Sequence, residues 1–325
     1  MGKILVTGAS GFIGRALCSG LREKGIPLRR VFRMPPGDYD SGEAGSDWIA
    51  VGDINAHTDW AGALEGIETV IHLAARVHVM EERVDDSLAE YRMVNTSGTE
   101  RLARAAVKAG VKRFLYISSV KVNGEATEDS PFTEESPAAP RDPYAVSKWE
   151  AECVLRAIAA ESGMEVVIIR LPLVYGPEVG GNFLRLLNWV YKGMPLPFGS
   201  IRNKRSLLYL GNLIDFLTVC ADHPQAPGNT FLISDGDDLS TSELIKRLAG
   251  SLDRPARVVP FSASLLRLGA KAVKREPDVR RLLGSLQVDS GKAMRILEWS
   301  PPLSVDEGIG HTASWFLSYV GEKAR

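Results

Sequence analysis

A tyrosine and a lysine stand four residues apart in Tyr144-Ala-Val-Ser-Lys148, a spacing that puts phenol and ammonium on one face of a helix. A phenol of ordinary pKa, about 10, exchanges protons poorly at neutral pH, and a fixed cation beside it draws that value toward the useful range. Such a pair also arises by chance on a surface. Here it follows two serines, Ser118-Ser119, that end an apolar run, Phe114-Leu-Tyr-Ile117. A second stretch able to do chemistry is Gly8-Ala-Ser10-Gly11-Phe12-Ile13-Gly14. Residues without a Cβ let the backbone approach a pyrophosphate, whose charge is met by the free N–H groups of the helix that follows. A tight turn needs glycine for conformational reasons alone, so a dinucleotide site and a bare turn both account for this stretch. Its spacing, G-x-x-G-x-x-G, departs from the usual G-x-G-x-x-G.

The elements that must position these groups follow from hydrophobic periodicity. Ile4-Leu-Val6 lacks polar alternation and reads as a strand buried on both faces, with a helix over Phe12 to Leu21. Leu28 to Phe32 reads as a second strand ending at Arg33, Trp48 to Val51 as a third running into Gly52-Asp53-Ile54, and Glu68 to Leu73 as a fourth followed by Ala74-Ala75. A helical stretch around Tyr91 to Ala109 carries Asn95 and is stopped by Gly110, and the fifth strand ends at Ser119. Strands alternating with helices predict an α/β fold, a doubly wound parallel sheet of Rossmann-like kind. Ligands of such sheets sit beyond the carboxyl ends of the strands. Gly8, Arg33, Asp53, Ala74 and Ser119 all fall at such ends.

At the end of the second strand a carboxylate would select NAD, whereas an arginine can pair with a 2′-phosphate. Arg33 therefore predicts NADP(H), with NAD the other candidate and a solvated arginine the plain alternative. Asp53 is placed either to accept from an adenine amino group or to cap a helix. The chain has 325 residues, 45% hydrophobic, with 39 basic and 40 acidic side chains. That balance offers no global field for nucleic acid or an anionic membrane. No membrane-spanning apolar run and no signal pattern is present, which predicts a cytoplasmic location. Cys18, Cys153 and Cys220 fall in apolar helical surroundings and are expected to be buried; they and the five histidines are too scattered for a metal site.

Gly8-x-x-Gly11-x-x-Gly14, Asp53, His72-Leu-Ala-Ala75, Asn95-x-x-Gly98-Thr99, Ser118-Ser119 and Tyr144-x-x-x-Lys148 together resemble an extended short-chain dehydrogenase/reductase of the nucleotide-sugar epimerase/dehydratase kind. The resemblance runs over nearly the whole chain. It implies that Tyr144 is the general acid/base, that Ser119 hydrogen-bonds the reacting oxygen, that Lys148 holds the nicotinamide ribose and lowers the tyrosine pKa, and that Asn95 supports the active-site helix or a water. Around the cofactor it implies Gly8, Ser10, Gly11, Phe12, Ile13, Gly14, Arg33, Asp53, Ile54, Leu73, Ala74, Ala75, Ser118, Tyr144, Lys148 and Pro172. Around a UDP-linked sugar it implies Arg76, Lys121, Asn182, Arg205 and Arg281; arginine suits a diphosphate because its planar fork pairs two oxygens at once. It divides the chain into a dinucleotide-binding unit over 1–171, to which 206–234 returns, and a smaller C-terminal α/β substrate lobe over 172–205 and 235–325. It leaves the choice between monomer and homodimer open.

Two departures narrow the reaction. Family dehydratases follow the active-site hydroxyl with an Asp-Glu pair, and this chain has Val120-Lys121 there, which leaves dehydration without its acid and base. Asn123 stands where many relatives have tyrosine. The leading expectation is NADPH-dependent reduction of a UDP-linked 4-keto-6-deoxy (amino) sugar for surface polysaccharide. The alternative is a UDP-hexose or UDP-N-acetylhexosamine 4-epimerase with retained NAD. A non-catalytic NADP-binding sensor is the third reading, and the presence of both Tyr144 and Lys148 stands against it.

Overall fold

The structure, a computed structural model, describes residues 1–35, 47–77, 87–262, 264, 266 and 282–323. Residues 36–46 and 78–86, and both Arg280 and Arg281, lie outside the described residues.

The strands are β1 (Ile4–Thr7), β2 (Leu28–Phe32), β3 (Trp48–Ala50), β4 (Thr69–His72), β5 (Arg113–Ser119), β6 (Glu165–Leu171), β7 (Leu173–Tyr175), β8 (Leu207–Tyr209) and β9 (Thr230–Leu232). The helices are α1 (Phe12–Glu23), α2 (Ala61–Leu64), α3 (Ser87–Tyr91), α4 (Thr99–Lys108), α5 (Pro143–Ser162), α6 (Gly181–Tyr191), α7 (Leu210–Asp222), α8 (Thr241–Ser251), α9 (Gly291–Leu297) and α10 (Val305–Lys323). Between α3 and α4 the helical run opens into a π-helical stretch, Arg92–Gly98, which nothing in the sequence pattern announces.

Seven strands form one parallel sheet in the order β3-β2-β1-β4-β5-β6-β9. The order reverses beside β1, and the crevice at that reversal is where an open α/β sheet receives its ligand. Thr230–Leu232 pairs with Ile168–Arg170 in the expected return to the sheet. Alternate residues of the strands face opposite layers. Ile4, Val6, Ile71, Leu115 and Ile169 meet α1, α7 and α9 on one face, whereas Leu5, Val70, Phe114, Tyr116 and Ile168 meet α2, α4 and α5 on the other. Covering both faces is what lets these strands be apolar throughout.

A second core gathers Tyr175, Phe183, Leu187, Tyr209, Ile245, Leu248, Ile309 and Phe316 from α6, α8, α10 and a two-stranded parallel sheet of β7 and β8. Ser240 and Glu243 form a reciprocal capping box at the start of α8. No helix among the described residues is long and apolar enough to cross a membrane. Cys18 and Cys220 are buried, but Cys153 is exposed, contrary to expectation; the side of α5 that carries it turns away from the sheet.

Candidate active site

The glycine turn is a backbone cradle. Gly8 sits at φ 69°, and a Cβ on it would stand 2.8 Å from the Ala74 nitrogen. A Cβ on Gly14 would overlap the Gly8 carbonyl oxygen. Gly11 caps α1 with no side chain, and the first turn of α1 holds no acidic residue that would oppose an anion at its N–H groups. Ser10, Phe12 and Ile13 surround this turn, and the Ser10 carbonyl accepts from Arg15 Nη1 at 2.6 Å. At the next strand end Arg33 and Asp53 form an ion pair, Nε to Oδ1 3.1 Å, with both side chains 76% exposed. The helix-cap reading of Asp53 is not realised, since α2 has Trp60 at its N-cap. Ile54 packs so closely on Gly98 that a Cβ there would meet Ile54 Cγ2 at 2.7 Å. Leu73, Ala74 and Ala75 leave β4 beside the cradle, and the Ala74 N–H donates to Thr7 Oγ1 at 3.2 Å.

Tyr144 opens α5. Asp142 caps that helix by accepting from the Ala145 N–H at 2.7 Å, with Pro143 at the position where a missing N–H costs nothing. The Ser119 side chain lies near the phenol and acts to lower its pKa, and the Tyr144 ring meets Tyr91 edge-on at 6.2 Å. Burial, and next the Asp142 charge, push the Tyr144 pKa above its ordinary value, with Ser119 opposing. Lys148, almost wholly buried, donates to the Ile117 carbonyl at 2.7 Å and lies 4.6 Å from the Tyr116 ring centre. Burial pulls its pKa down to about 7. The expected lowering of the phenol is corrected: in the protein alone burial raises the phenol and lowers the ammonium, and one of the three Lys148 N–H groups donates to a carbonyl.

Asn95 does not point at a reacting group. On the π-helical stretch its Oδ1 accepts from the Arg76 N–H at 2.8 Å, and its Nδ2 donates to the Arg76 carbonyl and Ser147 Oγ, both at 3.0 Å. Ser147 in turn donates to the Tyr144 carbonyl at 2.8 Å. Asn95 thus ties the segment after β4 to the first turn of α5, which carries Tyr144.

Below it runs a buried chain. Thr99 donates to the Asn95 carbonyl at 2.6 Å, so its oxygen accepts from His72 Nε2 at 3.0 Å, and His72 Nδ1 then accepts from Thr7 at 2.6 Å. The order of donors fixes the Nε2–H tautomer of a neutral imidazole. Burial, with the Lys148 charge adding to it, holds the His72 pKa down to about 3.

Ser118 corrects another expectation. Adjacent strand residues face opposite sides, and with Ser119 at the phenol, Ser118 turns inward and donates to Glu152 Oε1 at 2.6 Å. Glu152, with no exposed surface, also receives Arg170 through Nε at 3.0 Å and Nη2 at 2.7 Å. Arg170 Nη1 reaches Asn123 Oδ1 at 3.0 Å, and Asn123 holds the Ser136 carbonyl at 3.1 Å. Asn123 is thus a buried bracket for the loop after β5.

The expected substrate contacts are dispersed. The Lys121 ammonium is paired with Asp142, the N-cap of α5. Asn182 is exposed in the first turn of α6, where it accepts from Arg185. The Arg205 backbone bridges to Leu239 and Leu286, and its Nη1 donates to the Gly284 carbonyl at 3.3 Å. Arg76 lies 3.9 Å from Glu90 and over the Tyr91 ring, and its buried Nε has no hydrogen-bond partner among the described residues. Pro172 is buried between β6 and β7. Arg281 lies outside the described residues.

The NAD dependent epimerase/dehydratase family matches residues 4–234, from the first strand through the glycine cradle and Tyr144 to the last strand of the sheet. The chain belongs to that family. A UDP-glucose 4-epimerase of Vibrio cholerae is 45% identical over 317 residues, covering 97% of this chain and 95% of that one. The structure of MoeE5 in complex with UDP-glucose and NAD is 28% identical, covers 98% of this chain and all of its own, and has a TM-score of 0.78. The UDP-glucuronic acid 4-epimerase of Bacillus cereus, in complex with NAD, shares the fold at a TM-score of 0.79 and 23% identity, over 98% of this chain and 99% of its own.

In this family member several residues that hold the site were not singled out by sequence reasoning. Asp142 could have been, because Asp-Pro ahead of a helix spells a cap and a first-turn proline. Glu152 also had a signal, as the next step in the four-residue spacing that joins Tyr144 to Lys148. Thr7 and Ser147 carried none, being ordinary residues of an apolar strand and a helix.

Proposed function

We propose that the protein is a UDP-hexose or UDP-N-acetylhexosamine 4-epimerase that works with retained NAD. The observation that carries this reading is Tyr144 with Ser119 near its phenol, on a chain that also folds the glycine cradle after β1 and is 45% identical over nearly its full length to a UDP-glucose 4-epimerase. The cradle suits a dinucleotide because a Cβ on Gly8 or Gly14 would collide with backbone where a pyrophosphate needs the N–H groups of α1. NAD, when bound there, supplies reversible hydride transfer at the sugar C4. The protein's own work is with the proton. Tyr144 accepts it from the 4-hydroxyl and returns it to the epimeric oxygen, Ser119 hydrogen-bonds that oxygen, and Lys148 holds the nicotinamide ribose.

Val120 and Lys121 supply no acid or base for loss of water, which favours epimerisation over dehydration. Arg76, with its unpartnered Nε, Asn182, Arg205 and Arg281 are proposed as contacts of the UDP-sugar. Residues 1–171 with 206–234 are proposed as the NAD unit and the rest as the substrate lobe. The Arg33 guanidinium favours the second reading, an NADPH-dependent reductase. Its ion pair with Asp53 supports NAD instead, because a 2′-phosphate at Arg33 would also meet the Asp53 carboxylate.

Incubation of the purified protein with UDP-glucose, UDP-galactose and their N-acetylated counterparts, with no added reductant, should yield the C4 epimer. Tyr144→Phe should lower kcat roughly 10²- to 10⁴-fold. Turnover only of a 4-keto sugar, and only with NADPH, would establish the reductase reading instead.

A further inference from the structure

Lys121 touches both residues on which the phenol depends. Its backbone N–H donates to Ser119 Oγ at 3.3 Å, and its ammonium pairs with Asp142 Oδ2. The other oxygen of Asp142 caps α5 at the Ala145 N–H, 2.7 Å away. Capping alone does not require a charge, since asparagine, serine and aspartate cap about equally well. An aspartate does place a negative charge two residues before Tyr144, and a carboxylate near a phenol disfavours the phenolate. The pair is sheltered, with the lysine side chain 22% and the aspartate side chain 15% exposed, so water screens it less than a surface pair.

We infer that Lys121 is a positioning residue that tunes Tyr144 by cancelling the charge of the Asp142 cap. This rests on the proposed role of Tyr144 as the base. The groups about the phenol are Asp142 and Lys148 from α5, Tyr91 from α3, Ser119 and Tyr116 from β5, and Lys121 from the turn that follows. Of the charged ones, Lys148 is committed to the Ile117 carbonyl and sheltered enough to lose its proton near neutrality. Asp142 is the anion whose field raises the phenol, and Lys121 is the cation set directly on it.

The test is a cycle of opposite signs. Lys121→Met leaves the Asp142 charge bare and should move the acidic limb of the kcat/KM profile up by about half to one pH unit, whereas Asp142→Asn, which keeps the cap, should move it down by a similar amount. The double variant should return close to the parent. A fluorinated tyrosine at position 144, more acidic than the natural residue, lets absorbance follow the phenol directly, and its ionisation should shift in the same order across the variants. Limbs and ionisations that stay in place while the melting temperature falls would reduce the pair to a tether, and shifts of one sign in both single variants would equally overturn the inference. If Tyr144→Phe keeps full turnover, the base assignment fails, while the fluorotyrosine ionisations still report whether Lys121 cancels the cap charge.

Discussion

Two buried polar networks brace the candidate site from behind, and they are built on different physics. Beside the glycine cradle, Thr7, His72 and Thr99 form a chain with no formal charge, each link a single hydrogen bond in a fixed donor order. Behind Tyr144, Ser118, Glu152, Arg170 and Asn123 form a network centred on an ion pair with almost no exposed surface. The neutral chain joins β1 and β4 to the segment that carries Asn95. The charged one joins β5, α5 and β6 to the loop that follows Ser119. A neutral chain loses one bond when a link is cut. A buried ion pair, once broken, leaves an uncompensated charge in a medium that cannot solvate it.

The largest difference should appear on breaking the ion pair. Glu152→Gln should destabilise the protein by about 3–5 kcal/mol in urea unfolding, while Glu152→Leu with Arg170→Met should cost much less, because neither charge is then stranded. An equal loss in both would show that shape rather than charge governs this network.

The neutral chain should break through pH. The His72 pKa is held down to about 3 in the folded protein, against about 6.5 in the unfolded chain. Its contribution is therefore intact above about pH 6.5 and is lost as pH falls toward 3, at roughly 1.4 kcal/mol per pH unit. From pH 6 to 4 the wild type should lose about 2–3 kcal/mol that His72→Gln does not lose. Parallel curves for the two proteins would place the acid sensitivity elsewhere. The smallest effect is expected for Thr99→Val, which leaves the His72 Nε2–H without its acceptor, at about 1–3 kcal/mol. The same change should lower kcat by loosening Asn95 and, through Ser147, the first turn of α5.

Much of the fold was legible before any coordinates. Ile4 to Val6 and Phe114 to Ile117 read as strands because a parallel sheet covered on both faces tolerates only apolar runs, and the capping box at Ser240 reads from four residues. Ser118 and Asn95 show what was not legible. Ser118 was expected at the cofactor and Asn95 at the active-site helix or a water, and the partners they face, Glu152 and Arg76 with Ser147, are distant in sequence. The side a strand residue faces depends on register with its neighbours. The direction of Asn95 depends on a π-helical turn that no periodicity encodes.

Local chemistry alone, carried by glycine spacing, apolar runs and the step of four from Tyr144 to Lys148, determined that this chain folds as a doubly wound sheet with a tight glycine turn after its first strand and Tyr144 and Lys148 on one helix. Only the packed structure decided the charge around that phenol: Lys148 held by a carbonyl, Asp142 capping the helix, Lys121 set on Asp142. Secondary structure depends on neighbours in sequence, whereas a side chain's proton affinity depends on burial and on charges brought close by the fold.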